Sequence, residues 1–234
     1  MAVEIKQTTK GIFKNKGFLG FLYGYSLFFI VGLILFVTTK HGDVVLFINR
    51  YSREEWDSIV LFLTDFGLGS YVAIAMVLLL FLRVRYGLLG LINLGLVGIF
   101  TNVLKKMLFS DRIRPFNYFY YDDFHRFIYT AELNYHFSFP SGHTMTIFSA
   151  LSLMAFFVGK RWAGIVFFIA ALMIGFTRIY LLQHFFLDVY VGAVTGVFCT
   201  FLSVWLLTGP MRLQRFSWFD KPIYQIRFKT SGTF

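Results

Sequence analysis

Long apolar runs alternate with short charged segments along the whole chain, and the length of the runs predicts the fold. The first run, residues 18–37, has 20 residues and no charge, and a helix needs about that many to cross a bilayer core of ~30 Å. Five further runs follow at residues 62–82, 86–104, 144–159, 162–177 and 189–207. The pattern predicts an all-α bundle of six membrane-spanning helices, the fourth and fifth of which need flanking residues to reach full length.

The segments outside these runs complete a single membrane-embedded domain over residues 1–234. Residues 41–57 are predicted to lie at the membrane interface after the first span, and no repeat or linker divides the chain. The first run is longer than the apolar region of a signal peptide, and no small-x-small cleavage site follows it. We therefore expect it to be a retained anchor.

The composition and the distribution of charge agree with a membrane protein. Hydrophobic residues make up 57% of the chain and charged residues only 15%, which is not a soluble composition. We place the basic ends, residues 1–17 and 209–234, in the cytoplasm. The inner segments then hold 13 basic and 2 acidic residues, and the outer segments hold 9 basic and 10 acidic residues. The positive-inside rule explains the net charge of +10, so no nucleic-acid partner is expected. The single cysteine, Cys199, excludes a disulfide and a Cys-rich metal site.

Polar residues that are energetically unfavourable in a membrane occur in three short segments, all at the predicted outer face. Residues 104–115 read LKKMLFSDRIRP, residues 137–144 read FSFPSGHT, and residues 177–188 read TRIYLLQHFFLD. Ionisable residues at membrane depth favour a functional site. The candidates are Lys105, Lys106, Arg114, Ser141, Gly142, His143, Arg178, His184 and Asp188.

His184 and Asp188 are four residues apart, so at the start of the last span we expect them to share a helix face. The carboxylate can then accept a hydrogen bond from one imidazole nitrogen and leave the other as a nucleophile or base. A satisfied structural pair is the alternative.

The Pro-Ser-Gly-His turn precedes the fourth run. Ser141 is a good N-cap, and Gly142 lets a ligand approach the free N–H groups of the first helical turn, which attract anions. His143 lies on the same turn, within reach of whatever those groups hold. The alternative is an ordinary helix start, because Pro-Ser-Gly often precedes an apolar helix.

The surrounding cations distinguish between possible ligands. Two histidines and an aspartate could bind a metal ion, but the neighbouring Lys105 or Lys106, Arg114 and Arg178 would repel it. Guanidinium groups and helix N–H groups suit a phosphoryl group instead. The sequence therefore predicts a phosphate site with no metal and no cofactor.

These ordered motifs resemble those of the type 2 phosphatidic acid phosphatase superfamily, integral-membrane lipid phosphatases related to vanadium-dependent haloperoxidases. That family carries Lys-x6-Arg-Pro, Pro-Ser-Gly-His and Ser-Arg-x5-His-x3-Asp. The second motif is intact here, and the third is intact except that Thr177 replaces its serine. The first departs, because Lys106 is separated from Arg114 by seven residues and Lys105 by eight. We favour Lys105, since Thr101 and Asn102 would form a polar stripe with it facing the bundle; Lys106 remains a rival.

The resemblance implies a mechanism. His184 would attack phosphorus to form a phosphohistidine, oriented by Asp188, and His143 would protonate the leaving alkoxide and then activate water. Lys105, Arg114, Ser141, Gly142 and Arg178 would hold the phosphoryl oxygens.

The resemblance also implies a membrane lipid phosphate as the substrate: phosphatidic acid, phosphatidylglycerol phosphate, undecaprenyl diphosphate or lipid A. The site would face the non-cytoplasmic side, which is the periplasmic side of a bacterial inner membrane. A lipid phosphotransferase using the same site and a non-catalytic lipid-phosphate carrier are the competing functions. The complete set of His143, His184 and Asp188 argues against a carrier, because binding needs only the cations.

Residues 116–139 contain 11 aromatic residues among 24 and join the first two motifs. Aromatic residues favour the bilayer interface, so this segment is predicted to form a lid or gate, with interfacial anchoring as the alternative. Asp122 and Asp123 are expected to face water or to pair with Arg126.

Overall fold

The computed structural model describes residues 12–120, 126–128 and 134–226. Asp122 and Asp123 and much of the aromatic segment therefore lie outside the described residues, as do parts of both basic ends. The described residues form nine α-helices: α1 (Lys16–Thr38), α2 (Asp43–Arg50), α3 (Glu54–Asp65), α4 (Gly69–Leu82), α5 (Val84–Asn102), α6 (Pro115–Tyr118), α7 (Gly142–Val158), α8 (Arg161–Tyr180) and α9 (Phe186–Thr208). A π-helical turn, Val103–Leu108, continues α5.

The prediction of an all-α membrane bundle is confirmed. Within the described ranges, four helices are long and apolar enough to cross a membrane: α1, α5 with its π-helical turn, α8 and α9. The α3–α4 pair makes a fifth span if it counts as one, and α7 is apolar but has only 17 residues. Helix length alone therefore supports four or five of the six predicted spans, and α7 corresponds to the short fourth run.

The second predicted span is not one straight helix. The helix is interrupted between Asp65 and Gly69, and the axis of α4 is bent by 49° from that of α3. The helix also begins earlier than predicted, because Glu54, Glu55 and Asp57 occupy the first turn of α3, where acidic side chains favour the positive end of the helix dipole. The interfacial segment therefore ends at Arg53 and not at residue 57, and its residues 43–50 form α2.

Helices α1, α7, α8 and α9 form the centre of the bundle. Buried aromatic side chains such as Phe21, Phe148 and Phe168 pack edge to face between α1, α7 and α8. A second apolar cluster, which includes Phe116, Leu182 and Phe185, joins α6 to the segment between α8 and α9. This second cluster lies directly beside the candidate site residues and fixes the loop that carries His184.

Helix α9 lies unusually close to the start of α7. A Cβ atom on Gly192 would come within 2.7 Å of the Ser141 carbonyl oxygen, and one on Gly196 within 2.5 Å of the Met145 carbonyl oxygen. Small residues permit such close backbone contact between membrane helices. The Pro-Ser-Gly-His turn is therefore held against the beginning of α9.

The two ends of the bundle carry different groups. Arg85 at the start of α5 pairs with Asp220 at 2.7 Å, and its backbone N–H donates to Phe219. Asn15 caps α1 and donates to the carbonyl of Phe156 at the same end. Asn15, Arg85, Phe219 and Asp220 belong to segments predicted to lie on one side of the membrane, and Phe156 lies near that end of the fourth predicted span. The candidate site residues lie at the opposite end.

Candidate active site

The loop between α8 and α9 holds the candidate nucleophile. The backbone N–H groups of Gln183 and His184 both donate to the carbonyl of Arg178, at 3.0 and 3.1 Å, so the loop folds back over the end of α8. His184 is only 1% exposed. Burial, and then the positive charges of Lys105, Arg114 and Arg178, lower the pKa of His184 well below its ordinary value. The imidazole is therefore held in the neutral form, which a nucleophile requires.

Asp188 lies beside His184, but not through shared helical spacing as predicted. His184 precedes α9, while Asp188 lies in its first turn and accepts a 2.9 Å hydrogen bond from the N–H of Phe185. An acidic side chain at this position caps the helix start, and the capping brings Asp188 Oδ2 to 3.5 Å from His184 Nδ1. The hydroxyl of Ser138 also donates to Asp188.

The Pro-Ser-Gly-His turn has the predicted geometry. Ser141 is the N-cap of α7, and its hydroxyl oxygen accepts from the backbone N–H of Thr144. The Ser141 N–H donates to the backbone carbonyl of Asp188 at 2.9 Å, which ties the start of α7 to the start of α9. His143 is half-buried on the first turn and lies within electrostatic reach of Arg178, Lys105 and Arg114.

Arg114 is buried and fixed by several acceptors. Its Nη1 donates to Oε1 of Gln183 at 2.7 Å, and its Nε donates to the carbonyl of His136 at 2.9 Å. Burial lowers the pKa of Arg114, while the charge of Asp188 opposes that shift. A guanidinium group keeps its charge in proteins, so Arg114 remains a cation next to the His184 loop.

Arg178, at the end of α8, is the second buried arginine and is 7% exposed. Its Nη1 donates to Oγ1 of Thr64 at 2.8 Å. The hydroxyl of the preceding residue, Thr177, donates to the carbonyl of Ile174 in its own helix at 2.6 Å. Thr177 replaces the serine of the third motif, and the hydroxyl group that it retains is thus hydrogen-bonded within α8.

The two candidate lysines differ in their surroundings. Lys105 is half-buried and interacts electrostatically with Arg114, Arg178 and Asp188, whereas Lys106 is exposed. Thr101 faces α7, where its hydroxyl contacts the Met145 sulfur at 3.4 Å. Asn102 was predicted to share that face, but it is exposed and donates to Gly98 of its own helix. Only Thr101 and Lys105 of the predicted stripe face the bundle.

The structure thus gathers the candidates at one end of the bundle, with Lys106 at the margin. Three positive groups, Lys105, Arg114 and Arg178, surround the neutral His184. Among the described residues, no group of three or more His, Cys, Asp or Glu side chains is placed to hold a metal ion. The arrangement can bind an anion and present an imidazole to it.

Sequence reasoning missed three residues that contact the candidates: Thr64 beside Arg178, Gln183 beside Arg114, and Ser138 beside Asp188. Gln183 could have been found, because it is a polar residue directly before His184 in an otherwise apolar stretch. Thr64 and Ser138 carry no such local signal, since their positions depend on how the helices pack.

Comparison with known proteins identifies relatives with both sequence and fold in common. The undecaprenyl-diphosphatase of Sulfolobus acidocaldarius is 26% identical over 81% of this chain and 95% of its own length. The phosphatidylglycerophosphatase B of Bacillus subtilis is 28% identical over 64% of this chain and 75% of its own length.

Two solved structures share the fold. The crystal structure of Aquifex aeolicus LpxE matches with a TM-score of 0.61 and 24% identity, covering 70% of this chain and 94% of that one. A transmembrane PAP2-type phosphatidylglycerolphosphate phosphatase from Bacillus subtilis matches with a TM-score of 0.54 and 21% identity, over 84% and 98% of the two chains.

The family model of the PAP2 superfamily matches residues 86–212, which span more than half of the chain and contain every candidate site residue. The match confirms the resemblance drawn from the three motifs, and with it the prediction of a phosphoric ester hydrolase embedded in the membrane. The chain belongs to the PAP2 superfamily.

Proposed function

We propose that the protein is a lipid phosphate phosphatase that hydrolyses a phosphomonoester or diphosphate of a membrane lipid, without a metal ion, through a phosphohistidine intermediate. The observation that carries the proposal is that the imidazole of His184 is buried beside Asp188, with Lys105, Arg114 and Arg178 close enough to act on it electrostatically. Fixed positive charge stabilises the equatorial oxygens of a phosphoryl group in its transition state.

In the first half-reaction, His184 attacks phosphorus through Nε2, because its Nδ1 faces Asp188. The bond between phosphorus and the leaving oxygen breaks, and His143 donates a proton to that oxygen. The leaving oxygen is the ester oxygen of a phosphomonoester or the bridging oxygen of a diphosphate. The negative charge of the bound phosphate favours the protonated form of His143 before the attack. Asp188 stabilises the positive charge that develops on the phosphorylated imidazole.

In the second half-reaction, His143 accepts a proton from a water molecule as the water attacks the phosphohistidine. The bond between phosphorus and nitrogen breaks, inorganic phosphate leaves, and neutral His184 is restored. Lys105, Arg114 and Arg178 hold the phosphoryl oxygens in both steps, together with the first-turn N–H groups at Ser141 and Gly142.

The site is proposed to face the periplasmic side of a bacterial inner membrane, with the basic ends in the cytoplasm. The charge asymmetry of the loops supports this orientation, and so does the location of the candidates at the end of the bundle opposite Arg85 and Asp220. The substrate would then be a lipid whose phosphate lies in the outer leaflet. The names of the two relatives point to undecaprenyl diphosphate and phosphatidylglycerol phosphate.

The test is phosphate release by the purified protein in detergent with EDTA present. The panel contains phosphatidic acid, phosphatidylglycerol phosphate, undecaprenyl diphosphate and lipid A, and His184→Ala is assayed beside the wild type. Release that disappears in the variant would support the proposal and identify the substrate. A strict requirement for Mg²⁺ or Zn²⁺, or a His184→Ala protein that keeps most of its activity, would contradict it. A folded protein that releases nothing from any of the four lipids would favour a phosphotransferase or a carrier.

A further inference from the structure

Two side chains on one face of α3 accept hydrogen bonds from residues near the end of α8. In the first turn of α3, Asp57 accepts a 2.8 Å hydrogen bond from the hydroxyl of Tyr180 and pairs with Arg126 at 2.7 Å. Two turns later, Thr64 accepts from Arg178 at 2.8 Å. Buried Val60 packs against Tyr180 between these two contacts. The spacing of residues 57, 60 and 64 places all three on one helix face, so Thr64 is directed at Arg178 by the packing of the whole helix.

Thr64 and Arg178 are both only 7% exposed. A buried guanidinium group without acceptors is costly, and its planar fork holds a phosphate well only in one orientation. The Thr64 hydroxyl oxygen accepts a hydrogen bond from Nη1 of Arg178 and so restrains the rotation of the guanidinium plane. None of the three family motifs includes Thr64.

The chain turns sharply just beyond Thr64 and contacts the second catalytic candidate. The N–H of Gly67 donates to the carbonyl of Thr64 at 2.9 Å. A Cβ atom on Gly67 would come within 3.2 Å of both Cβ and Cδ2 of His143. Gly67 does not have a positive φ, so its backbone would accept alanine. The added methyl group would press against the His143 side chain, which would have to shift by a few tenths of an ångström.

We propose that residues 64–67, at the end of α3 and in the break before α4, are a fourth segment of the phosphoryl site, in which Thr64 positions Arg178 and Gly67 makes room for His143. The inference rests on the proposed function for its catalytic consequences. The binding consequence is independent, because Arg178 would orient any phosphate-like anion whether or not the lipid is turned over.

The first experiment compares Thr64→Val, which keeps the shape but removes the hydroxyl, with Thr64→Ser, which restores it. Thr195→Val is the matched control, since the Thr195 hydroxyl donates to Val191 of its own helix. The readouts are the Kd of orthovanadate by titration calorimetry, and kcat and KM on whichever lipid of the panel the wild type hydrolyses. We expect Thr64→Val to weaken orthovanadate binding and to lower kcat/KM, each by about 10-fold, the loss of one hydrogen bond to a charged group. Thr64→Ser and Thr195→Val should stay within about 2-fold of the wild type by the same reasoning.

The second experiment compares Gly67→Ala with Gly69→Ala, where a Cβ atom would meet nothing within 4 Å. We expect Gly67→Ala to lower kcat about 10-fold, since a displaced general acid–base group loses part of its contribution, while the Kd of orthovanadate changes little. Gly69→Ala should behave as the wild type.

The two variant series separate failure of this inference from failure of the proposed function. If the wild type binds orthovanadate but hydrolyses no lipid, the proposed function fails and the binding comparison still tests Thr64. Wild-type orthovanadate binding in a folded Thr64→Val protein would overturn the positioning role of Thr64. A wild-type kcat in Gly67→Ala would overturn the role of Gly67. The comparison of Gly67→Ala with Gly69→Ala also keeps the proposed segment testable if Thr64→Val does not fold.

Discussion

Arg114 donates a 2.7 Å hydrogen bond to Oε1 of Gln183, the residue directly before His184. This contact joins the first motif to the third. The segment between the lysines and Arg114 contains the end of the π-helical turn and the non-helical residues 109–113, and the backbone N–H of Arg114 donates to the carbonyl of Tyr135 at 3.0 Å. Arg114 therefore reaches the His184 loop although its spacing from either lysine is irregular.

Replacing Gln183 by Met should destabilise this junction. The change leaves the Arg114 guanidinium without its closest acceptor, and a buried unpaired donor costs about 1–3 kcal/mol. We expect a lower thermal unfolding temperature in detergent and weaker binding of orthovanadate. Gln225→Met, at an exposed position, is the control and should change neither. Unfolding and binding like those of the wild type would show that the Arg114–Gln183 contact is dispensable.

Lys105 rather than Lys106 should bind the phosphoryl group. Lys105 is half-buried and close to Arg114 and Arg178, and Lys106 is exposed. Loss of a hydrogen bond to a charged group costs about 1.5–3 kcal/mol, so Lys105→Met should lower kcat/KM by roughly 10- to 100-fold. Lys106→Met is the matched control and should stay within about 3-fold. A larger effect at Lys106 than at Lys105 would reverse the assignment.

His143→Gln should separate the two half-reactions. The leaving group of p-nitrophenyl phosphate departs without a proton, so the variant should form the phosphohistidine quickly and then hydrolyse it slowly. Stopped-flow absorbance should show a burst of about one p-nitrophenolate per active site, a kinetic sign of a covalent intermediate. With a lipid phosphomonoester, whose alkoxide leaving group needs a proton, no burst should occur. Equal slowing on both substrates with no burst would argue against the double role of His143.

His184 should remain neutral in the free protein at pH values where an ordinary histidine is protonated. Burial and the neighbouring cations both penalise the imidazolium, so its proton is lost at a lower pH than usual. We expect the Cε1 resonance of His184, assigned by its absence from His184→Gln, to show the neutral shift down to below pH ~6.5, the ordinary pKa of histidine. A titration midpoint at or above that pH would contradict the electrostatic account.

The parts of this protein that the sequence predicted well depend on local pattern. Apolar runs mark the long helices α1, α5, α7, α8 and α9, and Ser141 before Gly142 marks the start of α7. The parts it did not predict depend on packing or on competing local geometry. The spacing of His184 and Asp188 indicated a shared helix face, but His184 lies in the loop and Asp188 reaches it by capping α9. Thr64 lies in a run that reads as one continuous span; the packing of α3 against α8 brings Thr64 to Arg178, and the break that follows brings Gly67 against His143.

The central claim is that a metal-independent phosphohistidine forms on His184. The most direct measurement is rapid quenching of the protein with a lipid substrate radiolabelled in its phosphate, in EDTA, followed by mapping of the protein-bound label. We predict label that survives alkali and is lost in acid, maps to His184 and is absent from His184→Gln. Rapid phosphate release without protein-bound label, or label on a residue other than His184, would contradict this account.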